Sequence, residues 1–178
     1  MQKSVISVRT QRWNAILCAA ILAAGLCLAG ETATAQTNPS PAPPPAIELV
    51  GGGSPVTLTL EELARLPQVE QEITFKTSKG MATARYKGPL LWDVLSAGKA
   101  LEGLDGHAEL TKTLMVTASD GYRIAFSVGE LAPEFGNAMI LLALETDGKP
   151  LADGFRIVAQ GDKRGARAIH DIVTIEVR

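Results

Sequence analysis

Both cysteines of the chain, Cys18 and Cys27, fall within its first 35 residues. That stretch has the three-part layout of a secretory signal peptide. Lys3, Arg9 and Arg12 make the start basic, an apolar run covers Ala15 to Ala29, and Ala33-Thr34-Ala35 offers a small-x-small site before Gln36. Cleavage near Ala35 would leave a chain with no thiol, so neither a disulfide nor a soft thiolate ligand is available and the apolar core alone must hold the fold. The apolar run is 15 residues long, short of the roughly 20 a membrane-spanning helix needs. No retained membrane span is therefore expected, and the protein is expected to be periplasmic or secreted. Leu17 and Leu26 precede the two cysteines, which is not the small residue that lipidation wants. Arg9 and Arg12 are separated by Thr10-Gln11, so the leader lacks the adjacent arginine pair of twin-arginine export and reads as a Sec-type signal.

Asn38 to Ala46 carries five prolines in nine residues, an extended, semi-rigid composition that cannot join a core. Apolar patterning resumes at about Ile47 and runs to Arg178. The domain boundaries are drawn at residues 1–35 for the signal, 36–54 for a Pro/Gly-rich linker and 55–178 for the folded domain, a single-domain size. The whole chain has 17 Lys and Arg against 19 Asp and Glu. Losing Lys3, Arg9, Arg12 and Glu31 with the leader leaves 14 against 18. A net charge near −4 gives no electrostatic pull towards nucleic acid or an anionic membrane.

Val56 to Leu60 alternates strictly and predicts a strand. Thr59 with Glu62 has capping-box spacing, so a short helix is expected over Glu61 to Leu66, stopped by Pro67. Val69 to Thr77 alternates again and should pair with Met81 to Tyr86 across Lys79-Gly80. Leu90, Leu91, Val94 and Leu95 recur at helical spacing up to Gly98, with Trp92 read as core packing. Thr113 to Ala118 and Tyr122 to Phe126 form a hairpin around Asp120-Gly121. Ser127 and Glu130 repeat the capping-box spacing and predict one more helical turn. Ala138 to Leu144 reads as a strand buried on both faces. Strands at Phe155 to Ala159 and Asp171 to Val177 complete the set. Seven or eight short strands with two or three short helices give an α+β domain of mostly mixed β-sheet.

Two segments could carry chemistry. Gln160 to Arg167 places Lys163, Arg164 and Arg167 beside Gly161 and Gly165; glycines allow close backbone approach, and clustered cations with free amides suit a phosphate or carboxylate. Equally, such a run can be a solvated loop whose arginines pair with nearby acids. Asp120-Gly121-Tyr122-Arg123 is the other candidate, and turn chemistry alone accounts for Asp120 and Gly121. His107 and His170 are isolated and lack the spacing of a metal site. No nucleophile–base pair or nucleotide-binding glycine loop of known spacing occurs.

Several segments, in order, match one known pattern. They are Tyr86-Lys87-Gly88-Pro89-Leu90-Leu91-Trp92-Asp93-Val94-Leu95, then Val116 to Tyr122, then Leu141 to Leu151 with Asp147-Gly148-Lys149-Pro150-Leu151, then Phe155-Arg156-Ile157-Val158 with Gly161 to Arg167. Over about Val56 to Arg178 the chain resembles the oxidoreductase molybdopterin-binding domain, the fold of sulfite oxidase and of periplasmic methionine-sulfoxide-reducing molybdoenzymes. The resemblance implies molybdopterin as cofactor and a role in periplasmic redox chemistry. It marks Thr77, Asp120, Tyr122, Gly161, Lys163, Arg164, Gly165 and Arg167 as cofactor-binding candidates. In that family the strand before the Gly-Pro-Leu element ends in a cysteine that ligates molybdenum; here the position falls near Thr77, and a hydroxyl is a hard, weakly acidic substitute. The missing thiolate and the missing arginine pair also support an alternative, a non-enzymatic periplasmic module on the same fold that binds a partner protein or a small anionic ligand. No catalytic residue is assigned.

Overall fold

The computed structural model describes residues 45–104 and 107–178. The signal peptide, its cleavage site, the proline-rich segment up to Pro44 and Asp105-Gly106 lie outside the described residues. In chain order the elements begin with β1 (Ala46–Val50), β2 (Val56–Thr59), α1 (Leu60–Arg65), β3 (Gln68–Thr77), β4 (Gly80–Pro89) and α2 (Leu91–Ala97). A 3-10 turn at Ala108–Thr111 leads to β5 (Thr113–Ala118), β6 (Arg123–Ser127) and α3 (Val128–Leu131). The last stretch holds β7 (Ile140–Ala143), β8 (Glu145–Thr146), β9 (Lys149–Pro150), β10 (Arg156–Ala159), a 3-10 turn at Gly165–Arg167 and β11 (Ile172–Val177). The fold is α+β.

The strands form a five-stranded sheet in the order β2-β1-β11-β5-β6, a four-stranded sheet β3-β4-β8-β9, and the pair β10-β7. β1 runs parallel to β11, with Glu48 opposite Thr174, and every other pairing is antiparallel. β7 explains how the layers share one interior. All four of its residues are buried, and their alternation sends Ile140 and Leu142 into the main core and Leu141 and Ala143 into a second cluster with Ile73, Phe75, Tyr86 and Val158. β10 divides the same way, Ile157 and Ala159 to one side and Val158 to the other. A strand apolar on both faces is what a position between two apolar clusters requires. Each fully buried Leu or Ile contributes roughly 1.5–3 kcal/mol relative to exposure.

β4 comes close enough to β7 that a side chain at Gly88 is excluded. A Cβ there would lie 2.0 Å from the Leu142 carbonyl oxygen, while one residue earlier the Lys87 carbonyl accepts from the Leu144 amide at 2.8 Å. The Gly88-Pro89 pair therefore marks a contact between layers as well as a break in the chain.

Local expectations hold at several ends. The Thr59 hydroxyl accepts from the Glu62 amide at 3.3 Å and the Glu62 carboxylate accepts from the Thr59 amide at 2.8 Å, a complete capping box on α1. Two expectations need correction, the capping by Ser127 and the assignment of residues 46–50. Ser127 is the N-cap of α3, but its side chain makes no capping hydrogen bond. Gly98 ends α2 as its place after the helical pattern indicates, and its smallness is needed there because a Cβ would lie 2.1 Å from Leu49 Cδ2. Residues 46–50, placed in the linker by composition, form β1 at the interior of the five-stranded sheet, with Ile47 and Leu49 buried in the main core. The prolines before and the glycines after them mask a five-residue alternation that is too short to stand out. Trp92 packs against the main core, half-buried, as its place in the helical pattern indicates.

Candidate functional site

The long β3-β4 hairpin turns just after Thr77, and the segment leaving β10 is drawn onto that end. The Lys76 amide donates to the Lys163 carbonyl at 3.0 Å, and Lys76 and Arg164 form an isolated parallel bridge. Gly165 then lies against the Phe75 ring, where a Cβ would come within 2.8 Å of two ring carbons. These two contacts place Lys76, Thr77, Ser78, Arg156 and Arg164 around a cleft of about 510 Å³ floored by Phe75. Arg156 reaches it because it shares a face of β10 with Val158, on the side of the second apolar cluster.

Among the described residues three cations line the cleft and no carboxylate does. One Arg156 terminal nitrogen is already committed to Asp153 at 2.5 Å, but its Nε is buried without a hydrogen-bond partner. A buried donor without a partner is uncommon and invites an acceptor. Lys76 and Arg164 are exposed and form no ion pair with another described residue. Planar guanidinium forks and an ammonium suit the oxygens of a phosphate or carboxylate.

The position where the resemblance puts a molybdenum ligand is chemically occupied. The Thr77 hydroxyl donates to the Gly80 carbonyl at 2.9 Å and accepts from the Lys79 amide at 3.1 Å, so it holds the hairpin turn. Among the described residues no group of three His, Cys, Asp or Glu is arranged to hold a metal ion. The donor set present does not fit a metal–thiolate bond; it fits the anionic part of a ligand.

The two candidate segments of the sequence meet. The Tyr122 hydroxyl donates to the Ala166 carbonyl at 3.1 Å. A smaller cleft of about 280 Å³, bordered by Asp120, Tyr122 and His170, shares Gly165, Ala166 and Ala168 with the cationic one. Residues 165–168 thus form a ridge between them. The Asp120 carboxylate accepts from the Tyr122 amide at 2.9 Å, a local turn bond.

The other candidates have different duties. Arg167 donates to both oxygens of Asp162 at 3.1 and 2.6 Å, lies 3.5 Å from Glu130 and sits 4.8 Å above the Phe126 ring. Hydrogen bonding to Asp162, then the charges of Asp162 and Glu130, raise its pKa against the opposing effect of burial. Its guanidinium is not among the cleft-lining groups. Gly161 supplies a turn at φ +92°, and Lys163 contributes its backbone carbonyl while its side chain is exposed. Sequence reasoning missed Lys76, Ser78 and Arg156. For Arg156 a signal existed, since it is the lone cation in an otherwise apolar strand.

No protein-family model matches the chain, and no curated protein does. Among solved structures it is similar to the sulfane dehydrogenase SoxCD from Paracoccus pantotrophus, with TM-score 0.59 and 15% sequence identity over 74% of this chain. The match covers 37% of that chain, so this chain spans little more than a third of it. At that identity the likeness shows a shared fold.

Proposed function

We propose that this chain is an exported binding module on the fold of the molybdopterin-binding oxidoreductases. It takes an anionic ligand, a phosphate-bearing pterin or a similar anion, in the cleft of Lys76, Arg156 and Arg164, and serves periplasmic redox chemistry through a partner. The carrying observation is that cleft's lining of three cations with no carboxylate. The fold is shared with a sulfane dehydrogenase, and the class of ligand follows from the sequence resemblance. Molybdenum ligation by Thr77 is disfavoured because both hydrogen-bonding roles of its hydroxyl are already used in the turn.

In this reading Arg164 and Lys76 form the outer electrostatic clamp. Arg156, held in place by Asp153, adds a third positive charge to the lining, where lower solvent exposure strengthens its attraction for an anion. The Tyr122–Ala166 bond steadies the ridge that separates the two clefts. Export and a pterin ligand are tested together on mature protein purified from its native envelope, by N-terminal sequencing, elemental analysis and pterin fluorescence. A start near Gln36, bound pterin or phosphate and no stoichiometric molybdenum are the expected results. Near one molybdenum per chain, or a protein that rejects both phosphorylated pterin and phosphate, would overturn the reading.

A further inference from the structure

A second groove, of about 440 Å³, lies beyond α2 and has the opposite chemistry. Its walls are apolar, from Trp92, Leu101, Leu104 and Pro133, and among the described residues its charged lining is Glu109 and Glu134, with no lysine or arginine. Among the described residues Glu109 has one ion-pair partner, His107 at 3.6 Å, and Glu134 has none. Leu110 and Phe135, each one residue beyond a lining glutamate, are 48% and 42% exposed. The Phe135 ring stands edge-on to His107 at 5.4 Å between centroids. Large apolar side chains gathered at a surface, rimmed by charge of one sign, are a mark of an interaction site.

From this combination we propose that the groove docks a segment of another protein carrying leucine-like anchors interleaved with lysine or arginine. The apolar walls accept the anchors, and the two glutamates select for basic neighbours. A nucleic acid or an acidic segment would meet repulsion from the same two carboxylates. A pocket of this volume falls in the range that accepts side chains or a small ligand, so the segment needs only one or two anchors with flanking charge. The site is independent of the cationic cleft and stands or falls apart from it.

The test uses the full chain with Trp13→Phe, which leaves Trp92 as the single indole, and two synthetic amphipathic peptides of equal length, one leucine–lysine and one leucine–glutamate. The leucine–lysine peptide is expected to shift Trp92 emission saturably, and more weakly as salt rises. Glu109→Gln with Glu134→Gln, isosteric changes that leave packing in place, should weaken it about tenfold, from two partly screened ion pairs. Leu104→Asp should abolish the shift, with circular dichroism checking that the variant is folded. Equal binding of the two peptides, no change in Trp92 emission, or full affinity in the double Gln variant would overturn the proposal. Self-association in sedimentation that vanishes in Leu104→Asp would also overturn it, by making the occupant a second copy of this chain.

Discussion

The cationic cleft and the acidic groove are built by opposite means. The cleft depends on backbone contact between strands distant in sequence: Lys76 meets Lys163 and Arg164, and Gly165 rests on Phe75. Its cations have no carboxylates among their lining neighbours. The groove is assembled from Trp92 of α2 and from the connections that follow α2 and α3, and Trp92 and Leu101 also pack on the main core. The first is a charged surface with a small apolar floor, the second an apolar surface with a charged rim. On a chain whose net charge is only −2, this separation of charge is local, and it lets two ligands of different chemistry be recognised without competing.

The strongest break in this comparison comes from Gly88→Ala. The new Cβ would collide with the Leu142 backbone at 2.0 Å, which side-chain rearrangement cannot relieve. A loss of about 3 kcal/mol or more is expected in urea unfolding, removing both sites together. Gly165→Ala separates them. Its Cβ meets the Phe75 ring at 2.8 Å, so a loss of about 1–3 kcal/mol should accompany weaker binding of phosphorylated pterin. Peptide-induced change at Trp92 should persist, because the groove shares none of these residues.

Charge changes sharpen the contrast further. Lys76→Ala with Arg164→Ala should lower affinity for phosphorylated pterin about tenfold in calorimetry, with stability changed by less than about 0.5 kcal/mol. Arg167→Ala should do the reverse, costing about 1 kcal/mol after screening and leaving ligand affinity largely intact. Equal loss of affinity in the two variants would remove the distinction between ligand-facing and structural arginines. Tyr122→Phe should cost about 0.5–1.5 kcal/mol, the value of one hydrogen bond.

The smallest effect lies outside both sites. Glu62 has its pKa held below 4.5, first by the Thr59 amide and then by the Thr59 hydroxyl. Because the folded value is depressed, the capping contribution is complete above 4.5 and is lost as pH falls through the folded value. The difference in urea midpoint between the parent and Glu62→Gln should accordingly shrink on acidification from pH 6 to 3.

Elements were legible where the local signal was complete. β5 spans Thr113–Ala118, the expected first strand of the hairpin around Asp120-Gly121, and the Thr59–Glu62 box starts α1. The doubly buried β7 agrees with a continuous apolar run. The apolar restart at Ile47 is visible, but five alternating residues between prolines and glycines read as linker, and the pairing of β1 with β11 is parallel and 126 residues away, Glu48 to Thr174. Within the site, the glycine-rich basic run was visible, yet only part of it faces the cleft. Arg164 and Gly165 do, while Arg167 is engaged with Asp162 and Glu130.

By itself the sequence determined the α+β composition, the hairpins and their turns, and a described chain without thiols, because these come from periodicity, turn chemistry and residue identity. Tertiary structure alone decided that Lys76 and Arg156 stand beside Arg164, that Tyr122 braces Ala166, and that Trp92 borders a groove. Each of those facts depends on which strands become neighbours. That is fixed by the summed burial of two apolar clusters on either side of β7 and β10, a property no short window of residues contains.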